Sequence, residues 1–75
     1  MCVKLYSSPL CPKCQVLKNF MEESSISFEV IDTTVDYKAF ALLVSKGRMS
    51  LPQVSIDGVF IDGDISEMKE ILLSR

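Results

Sequence analysis

Hydrophobic and polar residues exchange places along this chain in two rhythms. In "CVKLYS" they alternate, with Val3 and Leu5 on one side and Lys4 and Tyr6 on the other, the period of a β-strand. After the punctuation of "SPLCP" the period lengthens. Val16, Leu17, Phe20 and Met21 mark one face of a helix from Pro12 to about Glu23. Proline suits its first position, where the missing N–H has no intrahelical partner to lose. Alternation returns in "ISFEVI", where Ile26, Phe28 and Val30 predict a second strand. "TTVD" offers hydroxyls and a carboxylate to begin a second helix, which carries Phe40, Leu43 and Val44 inward and ends near Gly47. "LPQVSIDGVFID" predicts a hairpin. Val54 and Ile56 lead into Asp57-Gly58, a pair that tolerates positive φ, and residues 59–61 return. Asp64 and Glu67 have the spacing of a capping box, and Ile65, Met68, Ile71 and Leu72 give the last helix a buried stripe.

The order is therefore β-α-β-α-β-β-α, an α/β arrangement. A helix between the first two strands permits a right-handed parallel crossover, while the closing hairpin is antiparallel. A mixed four-stranded sheet with three helices packed on its faces is the expected architecture. At 75 residues the chain makes one domain, 1–75. Chains this short often need a staple, but a 48% hydrophobic composition can supply a core without one. No repeat, low-complexity tract or linker interrupts it.

Charge and cysteine usage narrow the function classes. A net charge of −2 with no basic stripe argues against a nucleic-acid partner. No apolar run is long enough for a membrane span, and no secretory signal opens the chain. Three cysteines are too few, and odd in number, for a disulfide-rich secreted scaffold. A monomer in the cytoplasm is expected, and there a close cysteine pair is more often catalytic or metal-binding than structural.

That pair is Cys11 and Cys14, in "SSPLCPKCQVLK". The pattern places Cys11 at the N-terminus of the first helix and Cys14 one turn inside. Free N–H groups and the positive helix end favour a thiolate at Cys11, and Lys13 adds a nearby cation. Cys14, three residues on, lies on the same side of the helix and can displace a mixed disulfide formed at Cys11. C-x-x-C also occurs in zinc sites, which need two further ligands. The chain has no histidine and one other thiol, Cys2, so carboxylates would have to complete such a set.

Three segments in this order resemble the glutaredoxins of the thioredoxin-like superfamily: "KLYSSPLCPKC", "GRMSLPQVSIDG" and "FIDGD". The resemblance covers essentially the whole chain. It implies a thioredoxin-like (glutaredoxin) fold and a thiol-disulfide oxidoreductase that reduces protein or glutathione mixed disulfides. Cys11 would be the nucleophile and Cys14 the resolving thiol. By position alone Pro52 reads as a trans residue ending a loop. The resemblance implies instead a cis bond beside the thiols, with the backbone of Leu51 offered to an extended substrate. Pro12, Lys13, Gly63 and Asp64 complete the implied substrate-binding set.

The chain also departs from the family pattern. Ser8 stands where glutathione-dependent members carry Lys, and Lys13 where they often carry Tyr. Ile65 and Ser66 replace a pair of acids, and Asp64 brings its own carboxylate to a helix end that would receive the ligand's. No tightly bound cofactor is expected. Glutathione or a reductase of the thioredoxin-reductase type would supply electrons, although the tryptophan-containing signature of redoxins served by that reductase is missing. The alternative class is an iron–sulfur or zinc carrier that binds metal through Cys11. Cys2 reads as a spare thiol, Tyr6 and Phe60 as packing residues, and Tyr37 as cover for the edge of the second helix. Lys38 reads as a solvated charge, Asp57 and Gly58 as turn formers, and Arg48 as facing either solvent or a substrate carboxylate.

Overall fold

The computed structural model describes residues 2–48 and 50–74; Met49 of the "GRMSLPQ" segment lies outside them. The elements are β1 (Val3–Ser7), α1 (Pro12–Glu23), β2 (Glu29–Asp32), α2 (Tyr37–Ser45), β3 (Gln53–Ile56), β4 (Val59–Phe60) and α3 (Ile65–Leu73). They form one four-stranded sheet in the order β2-β1-β3-β4. β1 runs parallel to β2 and antiparallel to β3, with Leu5 opposite Val30 on one side and Val54 on the other. β3 turns back into β4 through Asp57 (φ 52°) and Gly58 (φ 85°), both in the left-handed region that a tight hairpin turn of this twist requires. This β-α-β-α-β-β-α order with a mixed four-stranded sheet is the architecture that the sequence predicts.

Alternation along the central strands splits the core into two layers. Val3, Leu5, Val54 and Ile56 meet Leu17 and Met21 of α1 and Met68 and Leu72 of α3 on one face. Tyr6 faces the other way, against Ala39 and Leu43 of α2, with Ile31, Leu51 and Phe60 at the margin. Both faces of β3 are covered, so all four of its residues are buried. Caps fix the helix starts: an Asp36 side-chain oxygen accepts the Ala39 N–H at 3.0 Å, and one from Asp64 accepts the Glu67 N–H at 2.9 Å.

Three expectations are corrected. The second strand begins at Glu29, and Ile26 and Phe28 pack on the core from the connector before it. Val30 is exposed because β2 is an edge strand, and α1 leaves a groove there rather than a lid. On α1, Val16 faces solvent, and the inward stripe is Cys14, Leu17 and Met21, at i, i+3 and i+7. On α2, Ala39 and Leu43 face the sheet while Phe40 and Val44 stand at the flank. The small Ala39 side chain lets α2 approach the Tyr6 ring, which a turned-in Phe40 would hold off.

The corrected α1 stripe predicts unequal costs for neighbouring truncations. Leu17→Ala removes a fully buried side chain and is expected to cost about 2–5 kcal/mol. Val16→Ala should stay within about 0.5 kcal/mol of the parent chain. Urea unfolding followed by circular dichroism measures both, and equal losses would contradict this rotation of α1.

Candidate active site

The junction between β1 and α1 is a tight local structure. Ser8 closes it twice, its carbonyl accepting the Cys11 N–H at 3.1 Å and its hydroxyl the Leu10 N–H at 3.3 Å. Cys11 is extended (φ −105°, ψ 104°) and occupies the N-cap of α1, with Pro12 at the first helical position. Its Sγ accepts the backbone N–H of Cys14 at 3.2 Å, so sulfur takes the place that oxygen fills at the caps of α2 and α3.

The two thiols differ in their surroundings. Cys11 is half-buried and Cys14 is 3% exposed. Burial, and then the hydrogen bond with Cys11, push the Cys14 thiol up from 9.0 to about 12, because its thiolate would be poorly solvated. Cys14 therefore holds its proton at neutral pH, and Cys11 is the thiol of the pair that an incoming disulfide can reach. Both are free, as is the exposed Cys2.

Five of the residues singled out by sequence line one open cleft of about 380 Å³: Lys13, Leu51, Pro52, Gly63 and Asp64, joined by Ser50. The Leu51-Pro52 bond is cis. Among the described residues, the backbone N–H and C=O of Leu51 enter no turn, loop or cap hydrogen bond. Gly63 has φ 113°, and a Cβ there would lie 2.7 Å from Cβ of Glu67, so the turn into α3 accepts no side chain. The Asp64 cap sits at the same end of the cleft, with Glu67 in the same turn. Cys11 and Pro12 line neither this cleft nor the groove of about 290 Å³ on the other side of α1, where Cys14 lies with Lys18, Val30 and Asp32.

Sequence reasoning left the place of Arg48 open and passed over Gln53. Arg48 pairs with Asp62 at 2.7 Å, and its guanidinium carbon lies 5.1 Å from the centre of the Phe60 ring. Gln53 accepts from Arg48 at 3.4 Å and donates to the Ser50 carbonyl at 2.7 Å. These contacts tie the segment before Pro52 to the turn before α3. Asp62 and Phe60 reach Arg48 only across the hairpin and follow no local period with it, so no sequence signal pairs them. Among the described residues no group of three or more His, Cys, Asp or Glu gathers, so a metal held by Cys11 would take ligands from outside the chain.

Comparison with known proteins places these features in a wider set. The family model described as Glutaredoxin matches residues 3–61. A glutaredoxin-like 8.6 kDa protein encoded in a rubredoxin operon of Clostridium pasteurianum is 32% identical over 62 residues, which cover 81% of this chain and 83% of that one. The structure superposes on NrdH-redoxin from Escherichia coli, a glutaredoxin-like protein with a thioredoxin-like activity profile, with a TM-score of 0.85. That match has 26% identity and covers 96% of this chain and 95% of the other. Glutaredoxin 1 from Francisella tularensis matches with a TM-score of 0.69 and 28% identity over 99% and 98% of the two chains.

Two measurements test the contrast between the thiols. In a Cys2→Ser background at pH 7, iodoacetamide is expected to modify Cys11 and leave Cys14 intact until the chain unfolds; preferential labelling of Cys14 would overturn it. Because folding raises the Cys14 pKa, the unfolded chain gives up that proton at lower pH than the folded one. The stability linked to it is present below about pH 9 and falls as the pH rises toward 12. Cys14→Ser should flatten that fall in alkaline urea titrations.

Proposed function

The chain belongs to the glutaredoxin family, and on that premise we propose that it reduces protein disulfides through Cys11 and Cys14, with electrons supplied by a protein reductase of the thioredoxin-reductase type. The observation that carries the reading is the unequal pair at the start of α1, a reachable Cys11 whose Sγ caps the helix and a buried Cys14 one turn behind it. Family membership and fold support thiol-disulfide exchange in general, and the unequal pair supports the specific reaction.

Cys11, as thiolate, attacks one sulfur of the substrate disulfide. The substrate S–S bond breaks and the other substrate sulfur leaves as a thiolate. An extended substrate segment pairs with the backbone N–H and C=O of Leu51, much as a strand adds to a sheet edge. Cys14 then attacks Cys11 Sγ, its proton passing to the departing substrate sulfur. The product is a Cys11/Cys14 disulfide and a fully reduced substrate. Two electrons from the reductase return the pair to thiols.

The cleft supports a protein reductant over glutathione. The N-terminus of α3 would hold a ligand carboxylate, but Asp64 already accepts one of its N–H groups, and Glu67 adds a second negative charge in the same turn. Lys13 is the one cation among the described residues that line the cleft. Ser8 stands where a second cation would serve, and its hydroxyl and carbonyl are used in the β1–α1 turn.

Cys14→Ser removes the resolving thiol. It is expected to accumulate a covalent adduct at Cys11 when mixed with a disulfide-bonded protein such as insulin, and to lose catalytic turnover. Mass spectrometry of the quenched mixture reads the adduct, and unchanged turnover would overturn the assigned roles.

Glutathione should bind weakly. Each lost charge-assisted hydrogen bond costs about 1.5–3 kcal/mol, so two such losses weaken affinity by more than about tenfold. Restoring the family's acids with Ile65→Asp and Ser66→Asp offers carboxylates to the ligand's ammonium rather than to its carboxylate, and is expected to tighten glutathione binding in calorimetric titrations. Turnover coupled to NADPH and thioredoxin reductase should exceed turnover coupled to glutathione and its reductase. The reverse order would assign glutathione as the electron donor.

A further inference from the structure

The second helix leaves much of its apolar surface uncovered. Tyr37, Phe40 and Val44 are 79%, 48% and 44% exposed and stand at i, i+3 and i+7, one stripe along the flank of the buried Ala39–Leu43 face. Phe40, Leu43 and Val44, with Thr33 and Arg48, form the walls of a notch of about 40 Å³ that Leu51 closes. Leu51 also lines the cleft that holds Lys13 and Pro52. The stripe therefore runs without a break into the place where a substrate segment meets the Leu51 backbone.

Past its Asp36 cap, the helix and the segment after it lean positive. The chain carries a net −2, yet residues 37–56 contain no Asp or Glu and hold Lys38, Lys46 and Arg48. Arg48 is paired with Asp62, whereas Lys38 and Lys46 are exposed at the two ends of the helix. The Asp36 carboxylate is engaged by the Ala39 N–H, which leaves an apolar face with an exposed lysine near each end, and such a face complements an apolar segment with carboxylates around it. Its size points to a brief encounter. At about 150–250 Å² per aromatic ring, Tyr37 and Phe40 present roughly 250 Å² between them. With Val44 added, the patch remains well under the roughly 800 Å² per partner of a lasting interface, and it suits a transient redox complex better than a second copy of this chain.

We propose that the exposed face of α2 and the notch beside Leu51 dock the protein whose disulfide Cys11 attacks, by receiving an apolar side chain next to its cysteine and carboxylates further out. The proposal rests on the disulfide-exchange reading above. The notch is large enough for a small aliphatic group. Phe40 and Val44 serve substrate choice here, and their exposure, unneeded by the core, has this use.

Two short peptides test it, each joined to a copy of itself through a single cysteine disulfide. One has Leu beside the cysteine and Glu further out; the other has Ser and Lys at those places. Single-turnover oxidation of the reduced protein by each is followed by mass spectrometry. The native chain is expected to react about tenfold faster with the Leu/Glu peptide, the scale on which an apolar pocket distinguishes small groups. Phe40→Ser with Val44→Ser should bring the ratio close to one, with circular dichroism reporting the fold. Lys38→Glu with Lys46→Glu should lower it in a salt-dependent way. Equal rates with the native chain, or a ratio unmoved by Phe40→Ser with Val44→Ser, would overturn the docking surface while leaving the thiol chemistry standing. Reaction with neither peptide would remove the disulfide-exchange reading and the docking surface together. Equal peptide rates, with binding to phosphatidylglycerol vesicles that Phe40→Ser and Val44→Ser abolish, would assign the face to a lipid surface instead.

Discussion

Cys14, Leu17 and Met21 hold α1 against the sheet, and the rotation that they impose decides which sulfur meets solvent. With Leu17 and Met21 fully buried, the helix cannot turn without exposing both side chains, a loss of several kcal/mol at about 1.5–3 kcal/mol each. Cys14 lies on that stripe by its spacing, so its thiol is desolvated and keeps its proton. Cys11, one turn earlier, is left at the helix N-terminus with the Cys14 N–H directed at its sulfur. One apolar contact surface thus sets the asymmetry of the pair.

The other half of the site comes from parts of the chain that meet only through the sheet. β3 pairs with β1, and this brings the segment ending in Pro52 to the cleft that also contains Lys13. The hairpin then returns the chain to α3, whose N-terminus closes the far end of the same cleft. Arg48 and Gln53 brace these pieces through Asp62 and the Ser50 carbonyl. The Arg48–Asp62 pair lies at the surface, where such pairs contribute little stability, so its evident effect is geometric.

The two faces of the sheet are covered to different depths. α1 and α3 bury a large cluster on one side, while α2 contributes Ala39 and Leu43 on the other. A nine-residue helix with two inward residues cannot bury a wide stripe, and the surplus apolar side chains remain at its flank. On the reading proposed above, this uncovered apolar face next to the site is a surface available for brief contact with a partner protein.

Much of this molecule was legible in the chain itself. Alternation and helical period located every element, Asp57-Gly58 marked the hairpin, and the acids at 36 and 64 marked two helix starts, because each of these signals is local. The Cys11/Cys14 spacing marked a strand–helix junction, and the segments around Pro52 and Gly63 marked two stretches that line one cleft. What period could not decide was rotation. Phe40 or Ala39, and Val16 or Cys14, are equally plausible on an isolated helix, and the choice falls to the side chains on the opposing sheet. The reach of β2, the Arg48–Asp62 brace and the occupation of the α3 N-terminus by Asp64 were likewise decided in three dimensions. Each depends on what a residue meets across the fold, and that meeting leaves no mark on the residues beside it in the chain.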